Sequence, residues 1–288
     1  MRLIQNSFIL ALAFSINSCG LATTVYQNAP EVVGWWLDDY LDLTSTQEAA
    51  LNPALDRLHQ WHRQQELPQY VSLIQEIQSI AAKEKITPTE VCAKVETIKS
   101  SVTDLQLAFV PTILEIAPTL SDKQMAYLKT KLEKRAEKWK SEWWQETSED
   151  QIEARLDKIE DYAESFYGDL STAQLEMIEQ QLAQSPIQPE MTYQEVLRRN
   201  ADIVQILTSL HDKNLSTSQQ TQLISEGFKR LHKSPNQSYQ AYLALVNQRT
   251  CEIVSTLHAS TTAKQKQHAK GWFEKHSKLL STWSMAKT

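Results

Sequence analysis

The stretch WHRQQELPQY, Trp61 to Tyr70, gathers a histidine, an arginine, a glutamate and two aromatics around one proline. With His59 just ahead of it, the residues His59, His62 and Glu66 stand at i, i+3 and i+7, toward one side of a helix. Two imidazoles and a carboxylate so placed could hold a metal ion or move a proton. A metal centre draws ligands from more than one element, however, and no second His, Cys or Asp cluster stands elsewhere in the sequence. Gly-x-Ser-x-Gly elbows, phosphate-binding loops and His-Glu-x-x-His sequences are absent. The residues therefore point to no metal, no catalytic side chain and no small-molecule cofactor. A hydrolase or metal-dependent enzyme using His62 and Glu66 is the alternative.

The elements that position this stretch are helices. A helix starting after Thr44 carries Leu51, Leu55 and Leu58 on its apolar face, and at 100° per residue His62 falls about 20° and Glu66 about 60° from Leu51. Both point toward the edge of a core. Leu67 precedes Pro68, which disfavours α conformation there and predicts a helix end, and Pro68 suits the first position of a second helix carrying Tyr70, Leu73 and Ile77. Trp61, His62, Arg63, Glu66 and Pro68 are thus expected to form a structural corner between two helices. His62 and Arg63 would complement the carbonyl end of the first.

The whole chain carries the same helical signature. It has 288 residues, 41% of them hydrophobic, and only five glycines, which argues against strands and tight hairpins. One motif recurs: an aliphatic residue, Ser or Thr, two spacers, then Gln or Glu. It occurs as LTSTQ from Leu43, ITPTE from Ile86, LSDKQ from Leu120, LSTAQ from Leu170 and LSTSQ from Leu215, with a degraded TTAKQ from Thr261. Such a motif is a capping box, in which the hydroxyl accepts from the amide three residues on and the Gln or Glu reaches back. Apolar residues spaced three and four apart follow each start. The expected architecture is all-α: one domain of about eight to ten antiparallel amphipathic helices over residues 29–283, without a sheet, followed by a tail at 284–288. Short connections such as SPIQPEM and HKSPNQ predict that the helices they join pack as hairpins.

The N-terminus is a separate module. Arg2 and the apolar FILALAFSI make a short signal-peptide core, ending at INSCG, residues 16–20, the pattern of a bacterial lipobox. Residues 1–18 are expected to be removed and Cys19 to be lipidated with diacylglycerol and palmitate-type chains. Residues 19–28 would then tether the domain to the membrane. Gly20, in place of aspartate, favours the outer membrane, with the domain facing the periplasm. The segment LQLAFVPTILEIAP, from Leu105, is too short and polar to span a bilayer. Cys92 and Cys251 are the remaining cysteines, and an exported compartment predicts a disulfide between them.

Charge is mixed in sign and mildly acidic, net −6, which excludes a nucleic-acid partner. Seven Lys and Arg crowd residues 121–145 beside Trp139, Trp143 and Trp144, and residues 146–164 are acidic. The expectation is that two antiparallel helices neutralise each other along solvated faces; a Lys/Trp-rich face for an acidic or unfolded client is the alternative. The segments YQNAPEVVGWWLDDYLDLTSTQ and WHRQQELPQY resemble an uncharacterised family of proteobacterial lipoproteins, and the likeness continues through EVCAKV, YGDLSTAQ and CEIVSTLHASTTAKQ. That resemblance implies a compartment and a helical fold, but no reaction. More remotely, the repeated Leu-Thr-x-x-Gln element resembles that of the Spy/CpxP periplasmic chaperones. The expected function is that of a non-enzymatic interaction or chaperone-like envelope lipoprotein, its partners being the membrane through the anchor and envelope proteins or clients.

Overall fold

A computed structural model describes residues 19–144, 147–212 and 214–285. The expected signal peptide, 1–18, lies outside the described residues. The helices are α1 (Cys19–Gln27), α2 (Ala29–Leu41), α3 (Ser45–Trp61), α4 (Leu67–Ala81), α5 (Pro88–Ile116), α6 (Asp122–Trp143), α7 (Ser148–Tyr167), α8 (Thr172–Ala183), α9 (Pro189–Ser209), α10 (Thr217–His232), α11 (Gln237–Ala259) and α12 (Ala263–Met285). Among the described residues there is no strand, and no helix is long and apolar enough to cross a membrane. The fold is all-α. The expected tether is helical: it forms α1, which packs on α12.

Every predicted capping box forms. Thr44 with Gln47, Thr87 with Glu90, Ser121 with Gln124, Ser171 with Gln174 and Ser216 with Gln219 each make both reciprocal bonds. The degraded copy does too: Thr262 N donates to Gln265 Oε1 at 2.9 Å, and Gln265 N to Thr262 Oγ1 at 3.2 Å. Four of the six boxes then pair across the molecule. Gln47 and Gln124 exchange side-chain amide bonds, and Gln47 Nε2 also donates to Thr119 O while Gln124 Nε2 donates to Asp42 O. Gln174 and Gln265 repeat the arrangement, donating to Ser260 O and Asp169 O. In both pairs the accepting carbonyl lies two residues before the partner's cap.

These pairs define two halves of one design. In the first, α2 packs on α3 and α6, and α3 on α5; in the second, α7 packs on α8 and α12, and α8 on α11. Counted from the glutamines, buried Leu51 and Leu55 of α3 match buried Ile178 and Leu182 of α8, and Ile116 matches Leu257. Both halves enter the first box through a residue of positive φ, Asp42 at 49° and Gly168 at 75°. The halves also exchange helices: α4 of the first lies along α12 of the second, and α9 of the second along α6 of the first. At the centre α5 meets α11, and there Cys92 and Cys251 are bonded, 159 residues apart in sequence.

This exchange overrides two expectations. Short connections predicted that α8 would lie on α9 and α10 on α11, but neither pair forms an extensive interface, because α9 is drawn to α6 and α10 to α5 and α9. The basic α6 and acidic α7 likewise do not pack along each other, since they belong to different halves. The charges of α6 find nearer partners, Lys131 with Asp39 of α2 and Lys138 with Glu142. Trp139 and Trp144 stand against Tyr193 of α9, with Lys140 over the Trp144 ring.

Candidate functional site at the π-helical segment

The segment that opened the sequence reading is not a corner. Leu67 stays helical at φ −56°, ψ −39°, and its N–H donates to His62 O, five residues back. Residues His62–Glu66 form one π-helical turn, so helix runs on from Ser45 through Ala81. The physical reason is Pro68. Its ring would clash with a carbonyl one α-turn earlier and it lacks an N–H, and one extra residue in the preceding turn opens space for it. Trp61, His62, Arg63, Glu66 and Pro68 therefore belong to a bulged helix rather than to a helix–turn–helix junction.

Around this bulge the structure assembles the two ends of the described chain. Tyr26 of α1 shares a hydrogen bond of 2.9 Å with His62 Nδ1, and its ring lies edge-on to His59. On its other side Tyr26 stacks on Trp283 of α12, centroids 4.4 Å apart and planes 8° off parallel. Trp283 Nε1 donates to Thr23 Oγ1, and Arg63 Nε donates to Trp283 O at 3.2 Å. Tyr70 of α4 sits edge-on to His62. Together Ala22, Leu67 and Trp283 form a buried apolar cluster beneath these polar groups.

The electrostatics favour uncharged forms. Burial pushes the His62 imidazole down to about 4, with the neighbouring His59 adding to the effect, and burial also lowers His59. Glu66 is 2% exposed, and burial, then the nearby Asp104, raises its carboxyl above the usual range. Gln69 Nε2 donates to Glu66 Oε1 at 3.4 Å, and the Tyr70 hydroxyl faces the same carboxyl. Among the described residues Glu66 Oε2 and His59 Nε2 are buried without a hydrogen-bond partner, and each such atom costs about 1–3 kcal/mol.

The structure thus brings His59, His62 and Glu66 into one neighbourhood, as their spacing predicted, but seats them within packed aromatics. Among the described residues no three His, Cys, Asp or Glu side chains converge as a metal centre would need. What the arrangement does chemically is lock α1, the bulged helix and α12 through polar contacts and ring stacking. Tyr26, Thr23 and Trp283 were not legible as members, because Trp283 Nε1 and Thr23 Oγ1 are 260 residues apart in sequence. The lone aromatic in LLSTWSM was their one local signal.

Fold and site define an all-helical protein made of two interlocked halves, clasped where its ends meet. The chain belongs to a family of unknown function (DUF6279), which matches residues 39–225, from α2 into α10. No curated protein and no solved structure matches it.

Proposed function

We propose that this is a lipid-anchored protein of the cell envelope, held at the outer membrane through Cys19 with its helices facing the periplasm. In this reading it acts by binding envelope proteins or clients rather than by catalysis. The observation that carries the reading is INSCG at 16–20, ahead of a chain whose other two cysteines are bonded to each other. Disulfides persist in oxidising compartments, so the Cys92–Cys251 bond supports export. The likeness of YQNAPEVVGWWLDDYLDLTSTQ to proteobacterial lipoproteins supports the same compartment. As α1 is helical from Cys19 to Gln27, the anchor would sit within about 13 Å of α2, at 1.5 Å per residue, keeping the domain against the bilayer. Several acyl chains together hold a protein where one does not.

The test is metabolic labelling with a fatty-acid analogue, followed by fractionation of wild type and Cys19→Ala. Label on wild type alone, with Cys19→Ala released to the soluble periplasm, is the expected result. Unlabelled, soluble wild type refutes the anchor. Crosslinking in intact cells, combined with suppression of client aggregation by the purified mature chain, tests the binding role; failure of both refutes it.

A further inference from the structure

The pole of the molecule where α1 meets α12 carries almost no negative charge. Three segments come together there: residues 19–30, residues 57–75 with the bulge, and residues 275–285. The chain has 35 Asp and Glu among 288 residues, yet within these segments the one carboxylate is Glu66, and it is buried. Asp56 and Asp104 stand at the border, near enough to act on the charges of His59 and Glu66. Closer to the centre, Arg63 and Lys275 are the charged neighbours felt by Tyr26 and His276.

Charge and exposure here complement a lipid surface. Lys275 and Lys278 of α12 are exposed, and neither forms an ion pair among the described residues. Met285, seven residues beyond Lys278 and within about 20° of it around the helix, is 74% exposed. Leu21 of α1 is 58% exposed. Thr23 and Tyr26 both rest on Trp283, which sets α1 against the last turns of α12 and brings Leu21 and Met285 to the same pole. Anionic headgroups attract lysines, and apolar side chains gain by entering the acyl region beneath. Since α1 begins at Cys19, the proposed anchor attaches at this pole as well.

We propose that this pole docks on a phospholipid bilayer with anionic headgroups, Leu21 and Met285 entering the acyl region while Lys275 and Lys278 meet phosphate. The proposal rests on the anchor at Cys19 and adds an orientation to it. The last turns of α12 touch the membrane. Tyr127, beside the Lys131 that pairs with Asp39 at the end of α2 remote from α1, stays in water.

The experiment supplies the anchor chemically, so it reads the docking face whether or not cells acylate Cys19. The purified mature chain, with Cys92 and Cys251 bonded, has Cys19 as its one free thiol and is coupled through it to a maleimide lipid in vesicles. The vesicles are phosphatidylcholine with or without phosphatidylglycerol, plus a trace of phospholipid carrying a photoreactive diazirine in its acyl chain. Adducts are mapped by peptide mass spectrometry. The tether alone accounts for adducts on α1, so α12 is the diagnostic. With phosphatidylglycerol present, adducts in the peptide holding Met285 should outnumber those at Tyr127 on α6 and Leu245 on α11, both of which are also exposed. Omitting phosphatidylglycerol, or making Lys275→Glu with Lys278→Glu, should cut the Met285 adducts about threefold or more. Met285→Asp with Leu21→Asp should do the same, and circular dichroism checks that each variant folds; the lipid comparison needs no variant. Adducts at Tyr127 or Leu245 as abundant as at Met285, none on α12, or no dependence on phosphatidylglycerol overturns the proposal. Unlabelled, soluble wild type in cells refutes the anchor and leaves these adducts readable, whereas acylated wild type without α12 adducts refutes the docking face alone.

Discussion

Gln124 and Gln47 are bound to each other, Gln124 Nε2 donating to Gln47 Oε1 at 2.7 Å and Gln47 Nε2 returning the bond at 3.3 Å. Each already caps its own helix, so a residue that closes a local turn also joins two helices whose starts are remote in sequence. Both side chains are buried. Removing one leaves one N–H of its partner's amide unpaired in the interior and takes away the donor to Asp42 O or Thr119 O, at a cost of about 1–3 kcal/mol. Gln124→Leu and Gln47→Leu should each destabilise by that amount in urea unfolding. The double variant should cost less than the two together, because the unpaired amide is gone. Gln219→Leu, at an exposed box without such a partner, should cost about 0.5–1 kcal/mol.

His62 gives the fold an acid sensitivity. Its folded pKa of about 4 lies below the ordinary 6.5, so the unfolded chain takes up the proton first as pH falls. Stability is then full above pH 6.5, declines between 6.5 and about 4, and levels off below. The loss attributable to His62 is up to about 3 kcal/mol at 1.36 kcal/mol per pKa unit. The slope of urea midpoints over that range should be shallower in His62→Gln; an unchanged slope would show that other groups cause it.

Glu66 works in the opposite sense. Its carboxyl titrates above the usual range because burial disfavours its charge, so the stability of its neutral form is lost as pH rises through the folded value. Glu66→Gln should therefore unfold at higher urea than wild type at pH 8. The advantage should shrink as pH falls toward the ordinary carboxylate range. A variant less stable than wild type at pH 8 would mean that the ionised carboxylate is held by contacts the unpartnered Oε2 does not suggest.

The bond between Cys92 and Cys251 closes a loop of about 160 residues, and chain entropy sets its contribution near ~5 kcal/mol as an upper estimate. Reduction with dithiothreitol, or Cys92→Ser with Cys251→Ser, should lower the urea midpoint without removing helical circular dichroism. Titration of denatured protein, purified without reductant, should find no free thiol from this pair. Two free thiols there would contradict the bond.

What was legible in the sequence is what acts over short distances. Each capping box rests on residues three apart, so even the degraded Thr262–Gln265 copy could be read before any tertiary structure was known. The cysteine pair was legible by arithmetic, being the two left once Cys19 is set aside for the expected anchor. The bulge was half legible. Pro68 rightly marked a disturbance, but whether a proline stops a helix or widens one turn depends on packing that no local rule carries, here Tyr26 and Trp283 closing over His62. The pairing of boxes was not legible, since nothing near Gln47 indicates that its partner is Gln124 rather than Gln174. Nor was the fate of the basic α6, where proximity in sequence to α7 misled and Asp39 and Tyr193 were the true neighbours.

The exchange of α4 and α9 makes each half depend on the other. Each half covers its last helix with a helix from the other, so neither is finished alone, which is how a domain-swapped homodimer is built. Carrying both halves in one chain makes their association an event within a molecule rather than between molecules, at an effective concentration in the millimolar range for a short connection. Stability then no longer depends on how much protein the cell makes.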